Sequence, residues 1–163
     1  MLAPVSPGGV PDLDCLSAQS AWSAAEVERF LSRYVAPLRV AVQTESGFPL
    51  LCSLWFVYED GALHCATQAD AAVTRHLERS PRCAYELAPN EPPYFGVRGQ
   101  GTVEISTDGA APLLARLIER YLGTEETSLG RWLMSRADTE VRLSITPTRI
   151  NAWDYRDRMS PSE

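Results

Sequence analysis

Lysine is absent from this chain: all fifteen basic residues are arginines. Without a side-chain amine there is no Schiff-base nucleophile and no phosphate-gripping P-loop lysine, so every cationic task falls to a guanidinium. Histidine is scarce, with only His64 and His76, and the four cysteines, Cys15, Cys52, Cys65 and Cys83, include no CxxC pair. No zinc-ligand spacing results, and no metal is expected. Cys52, Cys65 and Cys83 fall instead inside apolar strand patterns, where free cysteine packs as a small hydrophobe in a reducing compartment. No apolar run approaches the roughly 18 residues of a membrane helix, and no basic-then-apolar leader opens the chain. A cytoplasmic protein without a membrane partner is expected. The formal charge of -6 and a pI near 5.0 argue against a nucleic-acid partner, which draws on clustered positive charge. Ser-His-Asp order, HExxH and a Walker loop are all missing, which removes the common hydrolase and phosphotransferase machineries.

What is present fits one domain with a real core: 163 residues, 45% of them hydrophobic. Residues 1–22, with Pro4, Pro7, Gly8, Gly9 and Pro11, read as an irregular arm, residues 23–158 as the folded domain and 159–163 as a tail. Ser23 and Glu26 form a capping box, and Val27, Phe30, Leu31 and Tyr34 follow at helical spacing, which predicts a helix over 24–34. Alternation over 39–44, an apolar run over 49–58 and a third strand over 62–67, separated by Glu45-Ser46-Gly47 and Glu59-Asp60-Gly61, predict a three-stranded meander. A helix follows over 70–79, ended by Pro81, then a strand over 82–87. A long strand over 94–106 has three glycines that suggest a bulge or close backbone approach. Two amphipathic helices over 112–122 and 129–137 flank the break at Gly123. Strands over 141–146 and 149–155, about a Pro147-Thr148 turn, predict a closing hairpin.

Particular residues in this order resemble the FMN-binding split barrels, the pyridoxamine 5'-phosphate oxidase-like proteins. They are Gly47 to Phe56 (GFPLLCSLWF), Asp60-Gly61-Ala62-Leu63, Thr67 through Arg82 ending RHLERSPR, Val97-Arg98-Gly99-Gln100-Gly101, and Ile145-Thr146-Pro147. The match spans about residues 24–155. The resemblance implies a mainly β fold with flanking helices, an antiparallel, Greek-key-like split β-barrel. It also implies a homodimer with a cofactor in each groove between subunits and a small-molecule substrate.

By that resemblance, Ser53, Leu54 and Trp55 line the isoalloxazine ring, with Trp55 as a plain core aromatic the alternative. Thr67, with Gln68 and Ala69 leading into the helix, matches the position that holds the cofactor phosphate, where a hydroxyl and helix-terminal amides make a neutral anion cradle. The alternative is that Thr67 or Asp70 only caps the helix. The family commonly sets a lysine or arginine inside this helix. Here Val73 stands there beside Thr74, so Arg75 or an arginine from another strand substitutes, or the phosphate grip is weak, or the ligand is not FMN. Arg98 matches a strand position of the family and otherwise reads as a surface residue; Trp153 lies where C-terminal residues approach the partner's flavin and otherwise reads as dimer packing. FMN is the expected cofactor, with deazaflavin coenzyme F420, FAD or haem as alternatives. The expected activity is flavin-dependent oxidoreduction, against a deazaflavin reductase or a non-catalytic or cofactor-less barrel.

Overall fold

The computed structural model describes residues 13–160. The chain runs α1 (Ala24–Arg33), β1 (Leu38–Gln43), β2 (Pro49–Leu54), β3 (Phe56–Glu59), β4 (Ala62–Gln68), α2 (Ala72–Arg79), β5 (Arg82–Leu87), β6 (Phe95–Ser106), α3 (Ala110–Leu122), α4 (Ser128–Met134) and β7 (Glu140–Asp154). All named strand pairs are antiparallel, in the order β2-β1-β5-β6-β7-β4-β3. β2 and β3 stand at opposite ends of that order, yet only Trp55 separates them in the chain. The sheet therefore curls until its two ends meet at one residue, which is how an open antiparallel sheet becomes a split barrel.

Local chemistry explains most of the elements. The Ser23–Glu26 capping box forms as the spacing predicts, with both reciprocal bonds in place. Asp60 and Gly61 both adopt positive φ, the geometry of a two-residue hairpin turn, and so join β3 to β4. Inward alternation on β1 (Leu38, Val40, Val42), with Phe56, Leu63, Cys65, Leu87, Val97, Leu143 and Ile145, fills the interior. Val27 and Leu31 of α1 and Val73 and Leu77 of α2 pack into the same core. Burial pushes the Cys83 thiol up to about 12 and raises the Cys65 thiol as well. All four cysteines are free, and these two are inert packing residues.

Three local expectations are corrected. The apolar run 49–58 is two strands, not one arm of a meander, because the chain turns at Trp55 from one end of the sheet to the other. The closing hairpin is a single strand: β7 runs through Pro147-Thr148 and pairs with β6 along its length. The register slips between Gln100, opposite Arg149, and Gly101, opposite Pro147, so Thr148 is the extra residue of a bulge. Proline, which has no N–H to give a ladder, is tolerated at such a site. The second helix begins at Ala72, capped by Ala71 with no side-chain bond, so neither Thr67 nor Asp70 caps it.

The N-terminal arm is only partly described. Residues 1–12 lie outside the described residues, as do 161–163 of the tail. Residues 13–22 follow β7 beyond the reach of β4: the Ile150 amide donates to the Cys15 carbonyl (2.8 Å), Ser17 donates to Ile150 (2.8 Å) and Ala21 to Ala152 (3.0 Å). That segment satisfies an edge which β4 leaves unpaired after Ile145.

The glycines of β6 permit close approach. A Cβ on Gly99 would collide with the Tyr85 hydroxyl and the Arg149 carbonyl. That hydroxyl is buried and has no hydrogen-bond partner among the described residues. Gly99→Ala is expected to cost about 1–3 kcal/mol by overpacking, whereas Tyr85→Phe, which removes an unpaired buried group, leaves stability unchanged or raised. Urea denaturation of the two single variants and the double variant checks this, and Tyr85→Phe recovers part of the Gly99→Ala loss.

Candidate functional site

The corner at Trp55 forms one side of a groove of about 340 Å³ whose other side is built by α3, α4 and the start of β7. Ser53, Leu54 and Trp55 line it from the β2–β3 corner, Thr67 and Gln68 from the end of β4, Leu129, Trp132 and Leu133 from α4, and Arg136 and Glu140 from the chain that returns into the sheet. The register explains why distant residues meet here: Gln68 lies directly opposite Glu140 in the β4–β7 ladder, and Thr67 opposite Val141.

The aromatic residues are held in different ways. Trp55 stacks on Tyr121 with ring centroids 4.9 Å apart and planes 6° from parallel. Tyr121 is fixed in turn, its hydroxyl donating to the Ala36 carbonyl (2.9 Å) and accepting from the Phe56 amide (3.3 Å). Trp132 is half exposed at 52%, and the Arg136 guanidinium lies over its ring at 4.8 Å. The groove thus has a rigid wall at Trp55 and an open wall at Trp132.

The polar end is a relay. The Thr139 hydroxyl donates to Gln68 Oε1 (2.5 Å), which leaves the Gln68 amide nitrogen to donate to Glu140 Oε1 and, at 3.5 Å, to the Arg136 carbonyl. Both halves of the Gln68 amide are thereby committed within the protein. Glu140 is 93% buried, with a relative exposure of 7%, and its Oε2 has no partner among the described residues. Burial raises the pKa of this carboxyl above the usual range; the Gln68 bond and the nearby Arg136 charge pull the other way without cancelling that rise.

This corner differs from the open anion cradle that the sequence suggests. The Ala69 amide is already taken by the Thr139 carbonyl (2.9 Å), and a carboxylate faces the same space. Val73 and Thr74 lie outside the groove: both are buried, Val73 in the core and Thr74 with its hydroxyl donating to the Gln68 carbonyl (3.0 Å). Arg75 is exposed and folds back onto the Asp70 carbonyl, so a guanidinium does stand at the N-terminus of α2. Arg98 and Trp153 sit together elsewhere, Arg98 over the Trp153 ring at 5.4 Å. Trp132, Arg136 and Glu140 are groove residues that sequence reasoning missed. An amphipathic helix and a glutamate at a strand start carry no local functional signal, and only the long-range pairing with Gln68 reveals Glu140.

A second, broader depression of about 580 Å³ lies on the outer face of the sheet, lined by Leu51, Ala41, Ala84 and Gln100 together with Arg39, Arg98 and Arg149. Ladder pairing sets Ser53, Arg39, Glu86, Arg98 and Asn151 in one row across five strands. Ser53 lines the first groove and Arg39 the second, so the two are neighbours along this row.

Comparison with solved structures assigns the architecture. A conserved hypothetical protein from Mycobacterium tuberculosis superposes with a TM-score of 0.74 at 23% identity, over 91% of this chain and 94% of that one. A protein described as an F420 reductase matches with a TM-score of 0.65 at 21% identity, over 76% and 94% of the two chains. A FAD-binding protein from Mesorhizobium loti gives 0.59 at 16% identity, over 80% and 92%. The chain has the split-barrel fold. At these identities the likeness speaks for the fold alone. No protein-family model and no curated protein sequence matches the chain. Among the described residues of this split barrel no helix is long and apolar enough to cross a membrane.

The raised Glu140 pKa has a stability consequence. A carboxyl that holds its proton more tightly when folded contributes stability that is complete below its unfolded pKa and is lost as pH rises through the folded value. Glu140→Gln, which cannot ionise, is therefore expected to unfold at a higher temperature than the parent at neutral pH, with the difference closing below about pH 4, where glutamate is protonated in both states. Thermal unfolding followed by circular dichroism across that range reads it directly.

Proposed function

We propose that this split barrel binds a flavin-type cofactor and uses it in oxidoreduction of a small molecule, with the ring system seated in the groove between Trp55 and α4. The observation that carries this reading is the convergence of Ser53, Leu54, Trp55, Thr67 and Gln68 on one apolar slot flanked by Trp132. At about 340 Å³ the slot lies within the roughly 300–1,000 Å³ of small-molecule sites. When bound, the flavin or deazaflavin ring supplies the hydride or electron transfer. The chain's own part is to sandwich and orient the ring, with Trp55 held by Tyr121, Leu129 and Leu133 keeping water off, and the Glu140 end marking the polar side.

The anionic end of the cofactor fits poorly beside the Glu140 carboxylate and better along the row that leaves the groove at Ser53. Arg39 and Arg98 stand in that row and Arg149 is next to it; the single carboxylate within it, Glu86, pairs with Arg39 at 3.5 Å. Such a track suits an anionic part longer than one phosphate. It favours deazaflavin coenzyme F420 or FAD over FMN, and the F420 reductase and the FAD-binding protein of the same fold support this order. Haem has less support, since neither histidine lines the groove. The same outer face carries Leu51, 67% exposed, beside Ala41 and Ala84, and an apolar strip with small neighbours is the surface we assign to a second copy. A homodimer through this face puts each cofactor at the subunit boundary.

Titration with coenzyme F420, FAD, FMN and haem, followed by cofactor fluorescence or the Soret band, tests the reading. Tightest binding is expected for F420 or FAD, and Trp132→Ala and Trp55→Ala are each expected to weaken it roughly three- to tenfold through lost stacking. Failure of all three flavins to bind, or a preference for haem, overturns it.

A further inference from the structure

The Gln68 relay leaves the groove with one uncommitted polar atom, Glu140 Oε2. Its position follows from a chain of constraints. The Gln68 amide turns its nitrogen toward two acceptors, Glu140 Oε1 and, at 3.5 Å, the Arg136 carbonyl, and its oxygen toward the Thr139 hydroxyl, which also lies 2.9 Å from the Arg136 carbonyl. The carboxylate is thereby held through one oxygen, while the other is buried and without a partner among the described residues, on a side chain that lines the slot. A buried acceptor left unpaired costs free energy unless a donor arrives. No donor among the described residues reaches it: the nearby Arg136 guanidinium lies over the Trp132 ring, and the Ala69 amide is already bonded to Thr139.

We propose that Glu140 is the specificity-determining residue of the groove, its Oε2 accepting a hydrogen bond from an imide-type N–H at the polar edge of a planar heterocycle. This rests on the cofactor reading above and adds the orientation and the ligand class. Flavins and deazaflavins share a pyrimidinedione edge with such an N–H between two carbonyls, and haem has none. The same carboxylate turns a phosphate away from this corner, so the ring enters with its imide edge toward β7 and its anionic tail toward Ser53.

The relay makes the proposal sharp under substitution. In Glu140→Gln, with the Gln68 nitrogen still drawn to the Arg136 carbonyl, the new amide presents its oxygen to that nitrogen, turns its own NH2 toward the slot and sets donor against donor. Thr139→Val frees the Gln68 amide to flip, and the two glutamines then rotate together and return an acceptor to the ligand.

Riboflavin and 3-methylriboflavin, two ring probes without phosphate that differ in the imide N–H, are titrated by fluorescence quenching into the parent protein, Glu140→Gln, and Glu140→Gln/Thr139→Val. The parent is expected to bind riboflavin roughly tenfold to a hundredfold more tightly than its methylated form, the range of one hydrogen bond to a charged group. Glu140→Gln loses that preference while keeping its fold by circular dichroism, and the double variant recovers part of it. Parent protein that binds both probes equally, or a Glu140→Gln variant that keeps the preference, overturns the role of Glu140 and leaves the cofactor reading standing. Binding of neither probe while F420 or FAD binds overturns ring-edge recognition alone, and binding of no flavin of any kind overturns both.

Discussion

The structure depends on one residue's worth of chain at Trp55. β2 and β3 belong to opposite ends of a seven-stranded sheet, and a single intervening residue obliges those ends to stay together. Sheet twist alone would leave the ends apart; this covalent link turns twist into closure. The same constraint creates the groove. Because the chain changes direction at Trp55, that side chain is held against Tyr121 at the seam, where α3 packs through Leu113 and Leu117 against Val57, and α4 continues from α3 to form the far wall.

Closure also explains the polar end. β4 and β7 meet in a register that pairs Gln68 with Glu140, and the turn at Ala137–Thr139 delivers both the Thr139 hydroxyl and the Thr139 carbonyl to that corner. A carboxylate buried to this degree is unfavourable for folding. The groove thus holds an acidic, partly desolvated end and an apolar body, with arginines along its exit. That polarity distinguishes it from a simple phosphate cradle, and on the proposed cofactor reading it sets which way round the ring and its anionic tail lie.

The sequence announces the local elements well because their causes are local. The Ser23–Glu26 box, the Asp60-Gly61 turn and the alternation over Arg82–Leu87 are each set by a few adjacent residues. Of the eleven residues grouped by family resemblance, one groove holds Ser53, Leu54, Trp55, Thr67 and Gln68, while Ala69, Val73, Thr74, Arg75, Arg98 and Trp153 do not line it. What was hidden depends on pairing across the chain. Nothing within Pro49–Tyr58 marks a corner, since Trp55 continues an apolar run; the corner exists because β3 finds β4 while β2 finds β1. Pro147-Thr148 has turn chemistry, yet the strand passes through it because Gly101 on β6 accommodates the bulge. Glu140 is silent in sequence for the same reason, being defined by its ladder partner 72 residues away.

The central claim is that the slot between Trp55 and Trp132 is where a planar cofactor sits. The four tryptophans provide separate reporters: Trp55 and Trp132 at the slot, Trp22 bonded to Asp154 at 2.9 Å, and Trp153 under Arg98. Indole N–H resonances in a 15N-labelled sample, recorded as riboflavin is added, read all four at once. The account predicts that Trp55 and Trp132 shift by ring current while Trp22 stays in place. Movement of Trp22 or Trp153 with Trp55 and Trp132 unchanged would contradict it.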